Sequence, residues 1–339
     1  MTKPHIAVVS LGGTITMTSA SADGRGVRPS LSVDDLLAAV PALREVSELE
    51  ATTLCTLPGA SLGFDDVLGA LSWATAAVDR GAAGVIVVQG TDTIEETAFL
   101  LDLYWSKDEP LIVTGAMRAP QMAGADGPAN LLASVTVAGD PASRGKGVLV
   151  VLNDEIHAAC RVRKMRASGT DAFASPSFGA LGYVDEGVPV YGNAVTHRPL
   201  PMPEPFIAPR VALLETSFGD GGELLDLVSA AGFDGAVIAG FGVGHVSAAV
   251  GDAVSRATSR MPVVFASRTG GGSTYRHSYS FTGSESDLIA RGAVPSGWLD
   301  SRKARILLSC LLAAGSDSAT VHGEFALRGG MPGSNGERR

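Results

Sequence analysis

Residues 84–97 decide the fold: Gly84-Val85-Ile86-Val87-Val88-Gln89-Gly90-Thr91-Asp92-Thr93-Ile94-Glu95-Glu96-Thr97. The segment begins with an apolar, β-branched run, turns at Gly90 and continues into residues that favour a helix. This order is typical of a buried parallel strand that feeds a helix. Open α/β sheets bind ligands at the carboxyl ends of their strands. We therefore expect the Thr91 hydroxyl and the Asp92 carboxylate to face a functional cleft.

A second turn of the same kind lies near the start of the chain, where the strand-like residues 6–11 run into Gly12-Gly13-Thr14-Ile15. Two glycines allow a sharp turn and leave space for a ligand, and Thr14 adds a hydroxyl beside free backbone amides. Either turn alone is also compatible with an ordinary turn or helix N-cap. Because each follows a buried strand, the two turns together predict one active site that contains both threonines.

Composition narrows the class of protein. The 339 residues are 45% apolar, which is enough for a large core and favours two domains. The net charge is −9, without a basic run that would suit nucleic acid. The sequence contains neither an apolar stretch of about 20 residues nor a secretory leader pattern. Cys55, Cys160 and Cys310 form no metal or disulfide pattern. We expect a cytoplasmic protein that binds neither nucleic acid nor membrane.

Strand and helix patterns alternate along residues 6–190, which predicts a doubly wound, mostly parallel sheet with helices on both faces. The first domain is expected to span residues 1–192. Residues 193–210 contain four prolines between His197 and Pro205 and are expected to be a linker. The alternation resumes in residues 211–339, which predicts a smaller C-terminal α/β domain. Its polar, glycine-rich tail, residues 329–339, is expected to be disordered.

The chemistry of the predicted cleft depends on activating a hydroxyl. A threonine is a weak nucleophile, and it needs a proton acceptor together with donors for the oxyanion that forms on the attacked carbonyl. Asp92 and the glycine-turn amides supply some of these groups. A cation could come from the cluster Arg161-Val162-Arg163-Lys164-Met165-Arg166. Such a cluster is more often a solvated face, so the residues alone leave the choice of cation open.

These motifs resemble those of the bacterial-type L-asparaginases, the asparaginase/glutaminase amidohydrolase family. The two family signatures are a Gly-Gly-Thr turn near the start and a Gly-Thr-Asp-Thr turn followed by a Glu-Glu-Thr-Ala helix. Residues 12–15 and 90–98 match them. Four further segments match in the same order, namely 115–118, 125–130, 147–154 and 303–308. The resemblance therefore covers nearly the whole chain.

The resemblance implies hydrolysis of the L-asparagine side-chain amide to L-aspartate and ammonia through an acyl-enzyme. Thr14 would be the nucleophile, and a triad would orient the attack and relay protons. The triad residues would be Thr91, Asp92 and Lys164. The residues expected to bind the substrate are Ala60, Ser61, Gly90, Ala116 and, from a neighbouring subunit, Glu285. The resemblance also implies homo-oligomers, as tetramers built from intimate dimers, and no metal or organic cofactor.

The sequence departs from the family pattern at three places. Family members commonly carry a tyrosine on the loop after the first motif, where Val27 stands here. Proton transfer from the nucleophile would then run through a water, Tyr275 or His277. Gln89 replaces a usual histidine, and residues 60–62 lack a glutamine that grips the substrate's α-carboxylate. Two alternatives stay open: an amidohydrolase for D-asparagine, glutamine or a secondary-pathway amide, and a non-catalytic homologue that binds asparagine or aspartate.

Overall fold

The computed structural model describes residues 3–19, 27–29 and 31–330. The chain divides into two compact units, residues 1–200 and 201–339, with the boundary inside the proline-rich segment 193–210. The first unit is built on a large, mostly parallel sheet and the second on a smaller parallel sheet, each with helices. The predicted fold class is confirmed.

An eight-stranded sheet forms the centre of the first unit. The strands of this unit are β1 (His5–Gly12), β2 (Met17–Ser19), β3 (Val27–Pro29), β4 (Glu48–Leu57), β5 (Gly84–Val88), β6 (Leu111–Thr114), β7 (Val148–Leu152), β8 (Glu155–Ala158), β9 (Arg163–Lys164), β10 (Phe173–Ala174), β11 (Gly182–Asp185) and β12 (Val188–Tyr191). The order in the large sheet is β12-β11-β8-β7-β6-β5-β1-β4. The strands from β4 to β7 are parallel, and β8, β11 and β12 are antiparallel.

Helices and short 3-10 turns connect these strands. The helices are α1 (Val33–Ala38), α2 (Leu43–Val46), α3 (Phe64–Asp79), α4 (Ile94–Tyr104) and α5 (Gly127–Gly139). The 3-10 turns are Thr14–Thr16, Gly59–Ser61, Thr91–Thr93 and Pro141–Ser143. All five residues of β5 and of β7 are buried, as expected for central strands whose two faces are both covered. Three of the 3-10 turns follow the carboxyl ends of β1, β4 and β5.

Tight hairpins turn one edge of the sheet antiparallel. The turn between β7 and β8 consists of Asn153 and Asp154, whose φ angles are 54° and 59°. Two consecutive residues at positive φ are typical of a type I′ hairpin, whose twist matches that of the strands. Glu186 and Gly187, at 47° and 75°, form the corresponding turn between β11 and β12. The β7–β8 hairpin reverses the chain just before it reaches Lys164.

The second unit has a four-stranded parallel sheet in the order β13-β14-β15-β16. These strands are β13 (Val211–Glu215), β14 (Gly235–Gly240), β15 (Val263–Ser267) and β16 (Val294–Pro295). The helices are α6 (Glu223–Ala230), α7 (Ala248–Thr258), α8 (Glu285–Ala290), α9 (Ser301–Ala313) and α10 (Ser318–Arg328). The helix α7 begins at Ala248, since the Ser247 side chain accepts a hydrogen bond from the Val250 N–H and caps the helix.

Two further observations bear on the sequence predictions. Of the tail that is predicted to be disordered, residues 331–339 lie outside the described residues. Among the helices of the described chain, none has the length and apolarity that crossing a membrane requires.

Candidate active site

The Gly12–Thr14 turn and the Gln89–Asp92 turn contact each other directly. They follow β1 and β5, which are neighbours in the sheet. Gly13 has a φ of 91°, and a Cβ on it would lie 2.6 Å from the Gln89 carbonyl carbon and nearer still to the Gly90 backbone. Only glycine permits this approach, because any side chain would overlap the facing turn. The two threonine motifs therefore lie side by side.

A third turn, Gly59–Ser61, packs against the same point. A Cβ on Gly90 would lie 2.7 Å from the Gly59 amide nitrogen, so Gly90 also has to be a glycine. The Thr93 hydroxyl donates to the Gly59 carbonyl at 2.9 Å and links the two turns. Ala60 and Ser61 are exposed next to this contact. Both predicted substrate-binding residues of this turn therefore lie beside Gly90.

The segment Gly115–Ala116 follows β6 and is held by a buried polar network. Asn130, which is 2% exposed, donates from Nδ2 to the Gly115 carbonyl at 3.0 Å. Asp126 accepts the backbone N–H groups of residues 117 and 118, each at 2.9 Å. Ala116 is fully buried within this arrangement. The sequence assigned no role to Asp126 or Asn130, although both belong to a segment that resembles the family.

Lys164 lies at the centre of the site. Its Nζ donates to Thr91 Oγ1 at 2.9 Å and to Asp92 Oδ1 at 2.8 Å. The Lys164 side chain is only 15% exposed, whereas that of Asp92 is 64% exposed. Arg161 instead lies over an aromatic ring, and Arg166 pairs with a different carboxylate. Within the cationic cluster of residues 161–166, Lys164 contacts both Thr91 and Asp92.

The exposure of this ion pair indicates what it contributes. An ion pair with one exposed partner stabilises a fold by at most about 1 kcal/mol. The Lys164–Asp92 pair therefore adds little to the stability of the fold. Lys164 brings its amine into contact with a buried hydroxyl and an accessible carboxylate.

Thr14 begins the 3-10 turn Thr14–Thr16 and is half-buried. The Gly13 carbonyl fixes this turn by accepting both the N–H and the hydroxyl of Thr16, at 3.0 Å and 2.8 Å. Residues 20–26 of the loop that follows lie outside the described residues. Val27 begins β3, and its backbone pairs with Ser19 in β2.

Gln89 has a definite structural role where the family usually has histidine. The residue is fully buried. Its amide nitrogen donates to the Gly90 carbonyl and to the Thr93 hydroxyl, each at 3.2 Å. Because the Thr93 hydroxyl bonds in turn to Gly59, Gln89 connects the Thr91 turn to the Gly59 turn.

Glu285 lies in the second unit, at the start of α8, and is fully buried. One carboxylate oxygen accepts the N–H groups of Ser278 and Tyr279, and the other lies 2.8 Å from His245 Nε2. Burial alone raises the pKa of Glu285, but the hydrogen bonds from Tyr279 and His245 outweigh it and lower the pKa below its ordinary value. To reach a substrate in a neighbouring subunit, Glu285 would have to leave this network.

Within residues 3–19, 27–29 and 31–330, no group of three or more His, Cys, Asp or Glu side chains could hold a metal ion.

The fold and the hydroxyl–ammonium–carboxylate cluster define the class of this protein as an α/β enzyme with its centre at the carboxyl ends of parallel strands. A family model described as "Asparaginase, N-terminal" matches residues 5–196, and one described as "Glutaminase/Asparaginase C-terminal domain" matches residues 210–325. The chain belongs to the asparaginase family and is an asparaginase-type amidohydrolase. The predicted family and enzyme class are confirmed.

Individual relatives agree over nearly the full length. The chain is 32% identical over 328 residues to a protein named "Probable L-asparaginase periplasmic" from Haemophilus influenzae, which covers 95% of this chain and 92% of that protein. It is 30% identical over 330 residues to "L-asparaginase 2" of Escherichia coli, with the same coverage. The crystal structure of a "Probable Cytoplasmic L-asparaginase" from Campylobacter jejuni superposes with a TM-score of 0.86 at 30% identity, covering 96% of this chain and 99% of that one.

Proposed function

We propose that this protein hydrolyses the side-chain amide of L-asparagine to L-aspartate and ammonia, with Thr14 as the nucleophile. The observation that carries the proposal is the position of Lys164 Nζ, which bonds to both Thr91 and Asp92 beside the turn that contains Thr14. The names of the relatives from Haemophilus influenzae and Escherichia coli support L-asparagine as the substrate.

The reaction has two stages. The Thr14 oxygen attacks the amide carbon, and backbone N–H groups of the glycine turns stabilise the oxyanion. The C–N bond then breaks, and the proton lost by the Thr14 hydroxyl is relayed to the leaving nitrogen, which departs as ammonia. This stage leaves an ester between Thr14 and the aspartyl group. Water adds to the ester, releases aspartate and restores the hydroxyl.

In this scheme Lys164 and Asp92 together orient the Thr91 hydroxyl. Because the Thr91 oxygen accepts a hydrogen bond from the ammonium, the Thr91 proton is directed away from Lys164 and toward the cleft. Asp92 holds the ammonium in place and balances its charge. The three groups form a relay through which a proton passes between the nucleophile and the leaving nitrogen.

Ala60, Ser61, Gly90 and Ala116 are proposed to contact the substrate. Their support is the close packing of the three turns around Gly90 and the rigid Gly115–Ala116 segment. Ser61 offers an exposed hydroxyl for the substrate's α-carboxylate. Glu285 is also proposed as a substrate contact from a neighbouring subunit, in a tetramer of intimate dimers in the cytoplasm. Its burial within its own unit means that this contact requires a rearrangement.

A second candidate function is hydrolysis of a different amide, such as D-asparagine, glutamine or a secondary-pathway amide. The observation that favours it is the segment Ala60-Ser61-Leu62, which offers one hydroxyl and no side-chain amide for the α-carboxylate. A weaker grip on that group would lower the preference for one amino acid over another.

The test is ammonia release from L-asparagine, D-asparagine and L-glutamine by the wild type and by Thr14→Ala, Thr91→Ala and Lys164→Met. We expect L-asparagine to have the highest kcat/KM and each variant to lose at least about 100-fold in kcat. Lys107→Met, which removes a half-buried lysine that pairs with the exposed Asp79, is the matched control and should keep wild-type kinetics. Mass spectrometry should detect an acyl group on Thr14. Turnover that persists in Thr14→Ala would refute the proposal that Thr14 is the nucleophile. A preference for an amide other than L-asparagine would support the second candidate function.

A further inference from the structure

Glu95 is a buried carboxylate that the proposed reaction does not use. It lies in the first turn of α4 and is 3% exposed. Its Oε2 accepts the backbone N–H of Lys164 at 3.0 Å. This contact attaches the backbone of Lys164 to the helix that carries Glu95.

The strand that carries Lys164 is short. The strand β9 consists of Arg163 and Lys164 alone, and its partner β10 consists of Phe173 and Ala174. Two paired residues on each side make a weak ladder, because an isolated hairpin is marginal even when it is longer. The lysine side chain adds several rotatable bonds, whose freedom must be restricted before Nζ can meet two oxygens at once. The hairpin alone does not supply that restriction.

Glu95 belongs to the same element as the groups that Lys164 must reach. Thr91 and Asp92 lie in the 3-10 turn that runs directly into α4, and Glu95 is the second residue of that helix. Lys164 is thus attached at both ends to one rigid element, by its N–H to Glu95 and by its Nζ to Thr91 and Asp92. The spacing between the lysine backbone and the Thr91 hydroxyl is therefore set by a helix turn.

We propose that Glu95 is a positioning residue that fixes the Lys164 backbone so that its ammonium reaches Thr91 and Asp92. This inference rests on the proposed function for its kinetic consequences, but its geometric content is independent of the substrate. The carboxylate does not touch the substrate in this scheme. It acts through Lys164, and an amide oxygen at the same place should serve nearly as well.

The kinetic test compares Glu95→Gln with Glu95→Ala. Glu95→Gln keeps an acceptor oxygen and should stay within about fivefold of the wild-type kcat, whereas Glu95→Ala should lower kcat by roughly 10–100-fold, since a misplacement of about 1 Å can have that effect. KM should change by less than about threefold in both variants, because the lysine acts in the chemical step. Glu96→Ala removes the neighbouring acidic residue of the same helix turn and should keep the wild-type kcat.

A double-mutant cycle separates positioning from a general loss of structure. In a Lys164→Met background, Glu95→Ala should cause no further loss of kcat, because the group that it positions is already gone. Equal losses in Glu95→Gln and Glu95→Ala, or a full additional loss in the Lys164→Met background, would overturn the proposal. Thermal unfolding of every variant identifies any loss that comes from misfolding.

Crystal structures of wild type, Glu95→Gln and Glu95→Ala provide a readout that needs no turnover. In Glu95→Ala, Lys164 Nζ should move beyond hydrogen-bond distance of Thr91 Oγ1, whereas Glu95→Gln should keep the contact of 2.9 Å. An unchanged contact in Glu95→Ala would overturn the inference. If the wild type hydrolyses no amide, the proposed function fails, and this structural comparison still decides the role of Glu95.

Discussion

Replacing Gly13 with alanine tests the contact on which the proposed active site depends. The new Cβ would lie 2.6 Å from the Gln89 carbonyl carbon, where 3.4–4 Å is ordinary contact, and it would overlap the Gly90 backbone. The two threonine turns would have to separate by about 1 Å, and a displacement of that size can reduce turnover by about 100-fold. The φ of 91° and ψ of −173° at Gly13 are essentially restricted to glycine, so any other residue adds strain of about 1–3 kcal/mol. We therefore expect Gly13→Ala to fold with reduced stability and to lose at least about 100-fold in kcat.

Two glycines elsewhere separate the causes. Gly81 has a φ of 102° but open space around a Cβ, so Gly81→Ala adds backbone strain without overlap. Gly69 lies in α3 with open space, so Gly69→Ala adds neither and should stabilise the helix by about 0.5–1 kcal/mol. The assays are urea unfolding and ammonia release. If Gly13→Ala matches Gly81→Ala in stability and keeps the wild-type kcat, the two turns do not pack as described.

Three further predictions test the surrounding network. Burial lowers the pKa of His157 from 6.5 to about 4, so on acidification the unfolded chain takes up a proton before the folded chain does. The free energy of unfolding should therefore fall by about 3 kcal/mol between pH 6.5 and pH 4. In His157→Gln this fall should be absent from urea unfolding measured at each pH, and an unchanged pH dependence would contradict the prediction. Asn130→Asp cannot donate to the Gly115 carbonyl and should cost about 2 kcal/mol or more in urea unfolding, whereas wild-type stability would contradict the buried network. Thr93→Val removes the hydrogen bond to the Gly59 carbonyl and should lower the stability by about 1 kcal/mol. It should raise KM more than it lowers kcat, and a change in kcat alone would argue against a role of the Gly59 turn in substrate binding.

The sequence predicts the central strands and their turns because the signals there are local. Residues 84–88 form an uninterrupted apolar run and are all buried as β5, and the glycines that follow permit the approaches seen between turns. The helices predicted over residues 33–40, 64–80, 94–105 and 127–138 appear as α1, α3, α4 and α5, each within two residues of its predicted bounds. Apolar periodicity and turn chemistry are properties of consecutive residues, so they can be read without knowing the partners.

The remaining features depend on partners that are distant along the chain. The strand β4 was not predicted, because it lies at the sheet edge and its half-exposed residues lack a clear apolar pattern. The contact of Glu95 with Lys164 joins residues 69 positions apart, and no local pattern reports it. The Thr93 hydroxyl likewise bonds to the Gly59 carbonyl, 34 positions away, and Gln89 joins this link only through its contact with Thr93. The one signal for Glu95 in the sequence is that it lies within residues 90–98, which match the family signature.

The two parts of the proposed active site differ in how the fold holds them. The threonine turns follow neighbouring strands of the sheet and pack backbone against backbone, so a change at Gly13 disturbs the fold and the chemistry together. Lys164 instead comes from a two-residue strand after the chain has reversed at the β7–β8 hairpin, and it is attached through Glu95. We expect the sheet to stay intact when that attachment is lost. Gly13→Ala should therefore reduce stability and kcat in parallel, whereas Glu95→Ala should reduce kcat by far more than its effect on stability accounts for.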